Sequence, residues 1–193
     1  MVSILYTFFF SFSLFFSTLS RMDKQKHIIL GIDPGTCLTG YGIISYHPNQ
    51  SEAIDFGCIR PPSKKKLSER YLIIYEGLCQ LMDLYKPNAV AIETQFVSKN
   101  PQSAIKLGMA RGMAVLAATQ RVIPVYEYAP KRAKQAVVGY GSASKQQVQM
   151  MMQKLLKLSS LPEPEDAADA LALALCHGHT LQITKALQGI ESL

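Results

Sequence analysis

Short apolar runs, each closed by turn-forming residues, follow one another from His27 onward. They cover residues 27–33, 40–45 and 53–60, and the segments between them contain Pro34-Gly35 and Pro48-Asn49. Runs of this length, bounded by such turn residues, are typical of β-strands. The pattern therefore predicts three consecutive strands with antiparallel connections.

The period of the apolar positions then changes to that of a helix. Steps of three and four residues connect Leu67, Tyr71, Ile74, Leu78, Leu81 and Tyr85, which places them on one helix face. A fourth strand is predicted over 89–93. A second helix is predicted from Asn100-Pro101 to about Thr119, because Asn is a favourable cap and Pro fits the first helical position.

The rest of the chain predicts one more strand, over 124–128, and three helices, over 131–138, 145–157 and about 166–179. Three strands, then alternating helices and strands, then helices alone, indicate an α/β fold. Its mixed five-stranded sheet is expected to be flanked by helices. Gly108 and Gly112 lie one turn apart in the helix 101–119, so another element is expected to pack closely there.

The first twenty residues contain no charged side chain and consist mainly of Phe, Ser and Leu. A signal peptide or anchor is one interpretation, and translation that really starts at Met22 is the other. No basic segment precedes the apolar stretch and no A-x-A-like cleavage site follows it. We therefore predict that residues 1–21 are a start-site artefact and that residues 22–193 form a single cytoplasmic domain.

The formal net charge is +6 and the pI is about 9.1, although only 18% of the residues are charged. This balance suits an anionic partner, with nucleic acid as the first candidate. The four cysteines form no CxxC pair and match no zinc-binding spacing. They are interpreted as free, mostly buried thiols in a reducing cytosol.

Four acidic residues occupy positions that suggest a shared site. Asp33 ends the first predicted strand, Glu93 ends the fourth, and Asp166 and Asp169 share one face of the last helix. Singly, Asp33 fits a turn and the other two Asp residues fit a helix N-terminus. Together they favour Mg²⁺, which prefers carboxylate oxygens. Two such ions can activate water and stabilise the leaving oxygen of a phosphodiester.

Other features admit two interpretations each. The loop Gly139-Tyr140-Gly141-Ser142 suits either phosphate contact or a plain turn, and it is not a Walker A motif. Phe96, in a polar loop, suits either stacking on bases or anchoring to the core. His177 and His179 point about 200° apart on a helix, and they are interpreted as charges or caps at its C-terminal end.

Four segments resemble the RuvC family of Holliday junction resolvases. They are GIDPGTCLTGYGII at 31–44, AIETQFVSKNPQSAIKLGMARG at 91–112, YAPKRAKQAVVGYGSASKQQVQ at 128–149 and EDAADALALALCHGH at 165–179. The resemblance implies a ribonuclease H-like fold and a homodimer that nicks two opposing strands of a four-way DNA junction. It also implies one or two Mg²⁺ ions per subunit, with Mn²⁺ as a substitute, and cooperation with the RuvA–RuvB branch-migration complex, without a membrane.

The resemblance also assigns roles to individual residues. It implies that the catalytic and metal-binding acids are Asp33, Glu93, Asp166 and Asp169. Lys145 is implied to assist catalysis, and Phe96, Lys134 and Lys145 to contact DNA. The family commonly has Gln-Val before the Phe, whereas this chain has Thr94-Gln95, so the polarity beside the Phe differs.

Three other functions fit the sequence less well than a resolvase does. An RNA-processing nuclease of the same fold shares the opening motif but not the EDAAD and KLGMARG segments. An actin-like ATPase needs two such domains, and this chain is too short for them. A junction-binding module without activity gains nothing from four acids, since negative charge facing phosphate weakens binding.

Overall fold

The computed structural model describes residues 26–94 and 100–191. In chain order the elements are β1 (His27–Asp33), β2 (Thr39–Tyr46), β3 (Glu52–Ile59), α1 (Leu67–Tyr85), β4 (Ala89–Glu93), α2 (Pro101–Thr119), β5 (Val125–Tyr128), α3 (Pro130–Val138), α4 (Lys145–Leu155) and α5 (Glu165–Glu191). The predicted start-site artefact over residues 1–21 and the predicted DNA contact Phe96 lie outside the described residues.

The five strands form one sheet in the order β3-β2-β1-β4-β5. The pairs β1–β2 and β2–β3 are antiparallel, whereas β1–β4 and β4–β5 are parallel. This confirms the predicted mixed sheet. Ile32 of β1 pairs with Ile92 of β4, so Asp33 and Glu93, the next residue of each strand, emerge side by side at the same edge.

Helices cover both faces of the sheet, and each face has its own hydrophobic core. On one face, α1 and α2 pack over the side chains of Leu30, Ile32, Ile43, Val90 and Ile92. On the other face, α3, α4 and α5 pack over Ile29, Ile44 and Ala91. The alternation of buried side chains along β1 sends successive residues to opposite cores, as expected for a strand covered on both sides.

Helix α5 lies unusually close to β1 and β2 because glycine and alanine line the contact. A Cβ atom added at Gly31 would lie 1.9 Å from the carbonyl oxygen of Ala170, and one at Gly40 would lie 2.1 Å from that of Asp166. Buried alanines on α5 complete the contact, among them Ala167 and Ala174. The absence of a side chain at these glycines therefore determines how near the helix can come to the sheet.

The last helix is longer than the sequence indicated. We predicted an end near His179, but α5 continues to Glu191. Gly178 does not stop the helix. It makes room for Tyr46, whose Cδ2 atom would lie 2.1 Å from a Cβ atom at that position. No proline follows to break the helix, and its continuation is favoured by Leu181, Gln182, Lys185, Ala186 and Leu187.

No element within the described residues packs closely on Gly108 and Gly112, so the expected close contact there stays a prediction. A Cβ atom at either position would meet no described atom within 4 Å. The same stripe of α2 exposes large apolar side chains, with Ile105 64%, Met109 48% and Leu116 46% accessible. The stripe therefore has no covering element within residues 26–94 and 100–191.

The four cysteines are free, as predicted. The expectation that they are mostly buried is wrong for Cys37, which is exposed, while Cys176 is buried and Cys58 and Cys79 are partly accessible. Cys37 is exposed because it lies in the turn between β1 and β2. None of the helices in the described ranges is long and apolar enough to cross a membrane.

The Gly40 contact generates a stability prediction. In Gly40→Ala the new methyl group would overlap the backbone of Asp166, which cannot rotate away, so the free energy of unfolding should fall by about 3 kcal/mol or more. Urea denaturation of the metal-free protein measures this change. Gly57→Ala is the control, because its Cβ atom would meet only the Tyr41 side chain, 3.0 Å away at the hydroxyl oxygen. An equal loss in both variants would show that backbone overlap with α5 is not the cause.

Candidate active site

A cavity of about 200 Å³ opens at the edge of the sheet where β1 and β4 end. Its lining consists of Asp33, Glu93, Pro130, Ala133, Lys134, Lys145, Asp169 and Ala172. The residues come from two strands and from the three helices α3, α4 and α5. Three predicted acids and two predicted lysines therefore share one cavity, although they are far apart in the sequence.

Asp33 is the most strongly perturbed acid of the cavity. Its pKa is raised from 3.8 to about 8, mainly by burial and then by the negative charges of Glu93, Asp169 and Asp166, whereas the charge of Lys145 lowers it. The fourth predicted acid, Asp166, is thus close enough to act on Asp33, although it does not line the cavity. All four acids form one electrostatically coupled group.

The other two cavity acids respond to the same surroundings. Burial is the main cause that raises the pKa of Glu93 from 4.5 to about 7, and the charge of Asp169 adds to it. Burial likewise raises the pKa of Asp169. Lys145 and Lys134 lower both pKa values. The protein thus holds carboxylates in a poorly solvated place where they repel one another, a pattern common at functional sites.

Two lysines form the cationic side of the cavity. Lys145 is the first residue of α4, and its Nζ atom lies 3.8 Å from Oδ2 of Asp169 and 3.3 Å from Oε2 of Glu165. The Nζ atom of Lys134 donates a hydrogen bond of 2.8 Å to the carbonyl oxygen of Ala143. Lys134 therefore faces the acids while it is tied to the loop between α3 and α4.

Helix capping accounts for the position of Lys145. The hydroxyl of Ser144 accepts a hydrogen bond of 3.2 Å from the backbone N–H of Gln147, and the side chain of Gln147 accepts one of 2.8 Å from the backbone N–H of Ser144. This reciprocal capping box fixes where α4 begins. The next residue, Lys145, consequently projects from a fixed backbone.

The cavity suits a divalent cation with a preference for oxygen. Its donors are carboxylates, their charges repel one another, and their pKa values are raised, so a bound cation would relieve both burial and repulsion. Among the described residues, no three Asp, Glu, His or Cys side chains already form a metal-binding group.

Sequence reasoning missed Glu165. The structure adds it to the site as a partner of Lys145, one helical turn before Asp169. The spacing of four residues between Glu165 and Asp169 was the available signal, because residues so spaced share a helix face. Which lysine they would meet depends on how α4 packs against α5, and the sequence pattern does not contain that information.

The interpretation of His177 as a charge or cap at a helix end is wrong. His177 is 1% accessible within α5, its Nδ1 atom lies 2.7 Å from the hydroxyl oxygen of Tyr128, and its ring packs against Tyr126. Burial is the main cause that lowers its pKa to about 4, so the ring is neutral near pH 7. The helix continues past His177. The residue therefore lies inside the helix, where it packs against the two tyrosines of β5.

A second hollow, of about 400 Å³, lies at the opposite ends of the parallel strands. Asp83 and Arg121 line it, and they pair with each other at 2.6 Å. Their charges are therefore already balanced. The smaller cavity is the stronger candidate for chemistry, because it brings together three acids whose pKa values are raised by burial.

The fold and the acidic cavity together define a class of protein. A mixed five-stranded sheet flanked by helices is the fold of ribonuclease H-like resolvases. A family model described as "Crossover junction endodeoxyribonuclease RuvC" matches residues 29–177. The chain belongs to the RuvC family of Holliday junction resolvases, which are crossover junction endodeoxyribonucleases.

Individual relatives agree with this assignment. The crossover junction endodeoxyribonuclease RuvC of Protochlamydia amoebophila is 64% identical over 154 residues, which cover 80% of this chain and 92% of that protein. The one of Legionella pneumophila is 51% identical over 152 residues, covering 79% of this chain and 87% of that protein. The predicted nuclease activity on DNA is thereby confirmed.

Solved structures confirm the predicted fold. The structure of T. thermophilus RuvC in complex with Holliday junction substrate matches with a TM-score of 0.77 at 31% identity, over 82% of this chain and 96% of that chain. The yeast mitochondrial resolvase Ydc2 matches with a TM-score of 0.56 at 15% identity, covering 82% of this chain and 83% of that chain. The second comparison supports the fold alone.

The raised pKa of Asp33 generates a prediction on pH. Because its folded pKa, about 8, exceeds the unfolded value of 3.8, the folded state retains a proton that the unfolded chain releases. Stability should therefore fall as the pH rises between about 4 and 8. Between pH 6 and 8.5, metal-free wild type should lose on the order of 1–2 kcal/mol more than Asp33→Asn.

Urea denaturation at the two pH values, with a chelator present, measures this difference. Glu76→Gln, which removes an exposed carboxylate of α1, is the control and should follow the wild type. Equal pH dependence in wild type and Asp33→Asn would contradict a strained, buried Asp33.

Proposed function

We propose that this protein resolves four-way DNA junctions by metal-dependent hydrolysis at the cavity between Asp33, Glu93 and Asp169. The observation that carries the proposal is the convergence of these acids, coupled to Asp166, beside Lys134 and Lys145. Metal dependence is a property of the family. We assign magnesium as the ion, one or two per subunit with manganese as a substitute, on the basis of the carboxylate donors.

The four acids would hold the metal, and the ion would supply activation of water and stabilisation of the leaving oxygen. The protein's own contribution is to keep the carboxylates deprotonated and correctly spaced once a cation offsets their repulsion. Two lysines are available for the phosphate. Lys145 would offset the negative charge that builds up during cleavage, and Lys134 would contact the DNA backbone.

Phe96 is proposed to contact bases near the junction centre, since the family resemblance assigns it that role. Its position in the chain, three residues after Glu93, agrees with a contact close to the cleaved bond. An aromatic side chain can stack on bases or enter between them. The role therefore requires no particular base sequence.

We further propose that the active form is a homodimer joined through the open stripe of α2. The exposed Ile105, Met109 and Leu116 lie on one helix face beside Gly108 and Gly112, which leave room for close approach. The partner is assigned as a second copy because the family resemblance implies a dimer. A four-way junction also has two-fold symmetry, which a dimer with two-fold symmetry would match.

The biological setting follows from the substrate. Junctions of this kind arise in recombination and in DNA repair, so we place the protein in the cytoplasm with the chromosome. We propose that the RuvA–RuvB branch-migration complex delivers the junction. Residues 22–193 would carry all of these properties as one domain, and the start-site interpretation of residues 1–21 stays a prediction.

A cleavage assay tests the activity and the site together. Residues 22–193 are incubated with a labelled four-way junction, a linear duplex and an RNA hairpin, each with and without Mg²⁺. We expect paired, symmetric nicks in the junction only, dependent on metal. In Asp33→Asn the rate should fall by about 10³-fold or more, because a charged group at the reacting centre is lost.

Glu76→Gln serves as the control and should cut like the wild type. Tight junction binding without cutting under any metal would contradict the enzyme and leave a binding module. Cutting confined to RNA would instead assign the chain to an RNA-processing nuclease.

The dimer prediction is tested by sedimentation velocity. Ile105→Glu should convert the dimer to a monomer at micromolar concentration, because a charge would be buried without a partner. Leu84→Glu is the matched control, since Leu84 is 70% exposed on α1 and lies outside the stripe. A dimer that survives Ile105→Glu would exclude this face.

A further inference from the structure

Lys145 is shared between an acid of the cavity and an acid outside it. Its Nζ atom lies 3.3 Å from Oε2 of Glu165 and 3.8 Å from Oδ2 of Asp169. Glu165 is absent from the cavity lining. It instead lines a neighbouring groove together with Arg60, Gln149 and Glu163. Lys145 therefore lies between the cavity and the groove, with Asp169 on the cavity side and Glu165 on the groove side.

The contact between Glu165 and Lys145 is too exposed to matter much for stability. The side chain of Lys145 is 50% accessible and that of Glu165 52%, whereas Asp169 is 16% accessible. Ion pairs with such exposure typically contribute little to folding. The backbones on both sides are fixed, because each residue begins a helix. The contact thus controls where the lysine points rather than whether the protein folds.

A cation in the cavity changes the balance between the two partners of Lys145. Asp169 belongs to the acids that would hold the cation, so its charge would be offset there. The same cation would repel the ammonium group of Lys145. Glu165, on the groove side, would retain its full negative charge. It would then be the stronger of the two carboxylates that attract the lysine.

We propose that Glu165 is a positioning residue that keeps the ammonium group of Lys145 at the rim of the catalytic cavity, where it can reach the phosphate that is cut. This inference rests on the proposed function of the cavity. Glu165 itself contacts neither the metal nor the reacting phosphate. Its contribution is to hold beside the cavity a charge that the cation would otherwise drive away into solvent.

The variant Glu165→Gln tests the proposal, since glutamine has nearly the same shape and no charge. The kcat for junction cleavage at saturating Mg²⁺ should fall by about tenfold, because a misplaced catalytic group slows a reaction by such factors. The KM and the Kd for the junction, the latter measured without metal, should stay within about twofold. Glu165→Asp, which keeps the carboxylate, should recover part of the rate.

Glu163→Gln removes the same charge two residues earlier in the same groove, and it should cut like the wild type. A double-mutant cycle then combines Glu165→Gln with Lys145→Ala. If Glu165 acts through Lys145, the double variant should be no slower than Lys145→Ala alone.

Three results would overturn the role of Glu165. These are an unchanged kcat in Glu165→Gln, a change in KM alone, or an equal loss of kcat with and without Lys145. Failure of the proposed function has a different signature, because then the wild type would not cut the junction or Asp33→Asn would still cut it.

Discussion

The close approach of α5 to the sheet is the constraint on which the site depends. Gly31 and Gly40 leave no side chain between the strands and the helix, so the backbone of α5 lies directly on β1 and β2. This contact brings Asp166 and Asp169 to the strand end that carries Asp33. A single methyl group at either glycine would overlap a backbone atom of α5, so the helix would have to move away from the sheet.

The same contact concentrates negative charge where water is scarce. Burial and mutual repulsion raise the pKa of Asp33 and Glu93, so the site works against the stability of the fold. Lys134 and Lys145 offset part of this cost. Each lysine is also restrained from outside the cavity, Lys134 by the carbonyl oxygen of Ala143 and Lys145 by Glu165. The ammonium groups of both lysines are therefore held in place by contacts outside the cavity.

Local patterns predicted the elements well, and long-range packing decided what they missed. Strand and helix spacing identified every element in the described ranges, and the strand ends identified Asp33 and Glu93. The end of α5 was missed, because the helix continues past Gly178, which accommodates the ring of Tyr46. His177 was misread for the same reason. The contact between Glu165 and Lys145 could not be predicted from the sequence pattern, because it depends on how α4 packs against α5.

The chain order of the site has a consequence for protein synthesis. Asp33 leaves the ribosome well before Asp166 and Asp169, which belong to helix α5. The glycine-lined face of the central strand β1 stays uncovered until that helix packs on it. Such long-range contacts form slowly. A nascent or prematurely terminated chain consequently lacks half of its acids. The acidic cavity is thus complete only after α5 has been made.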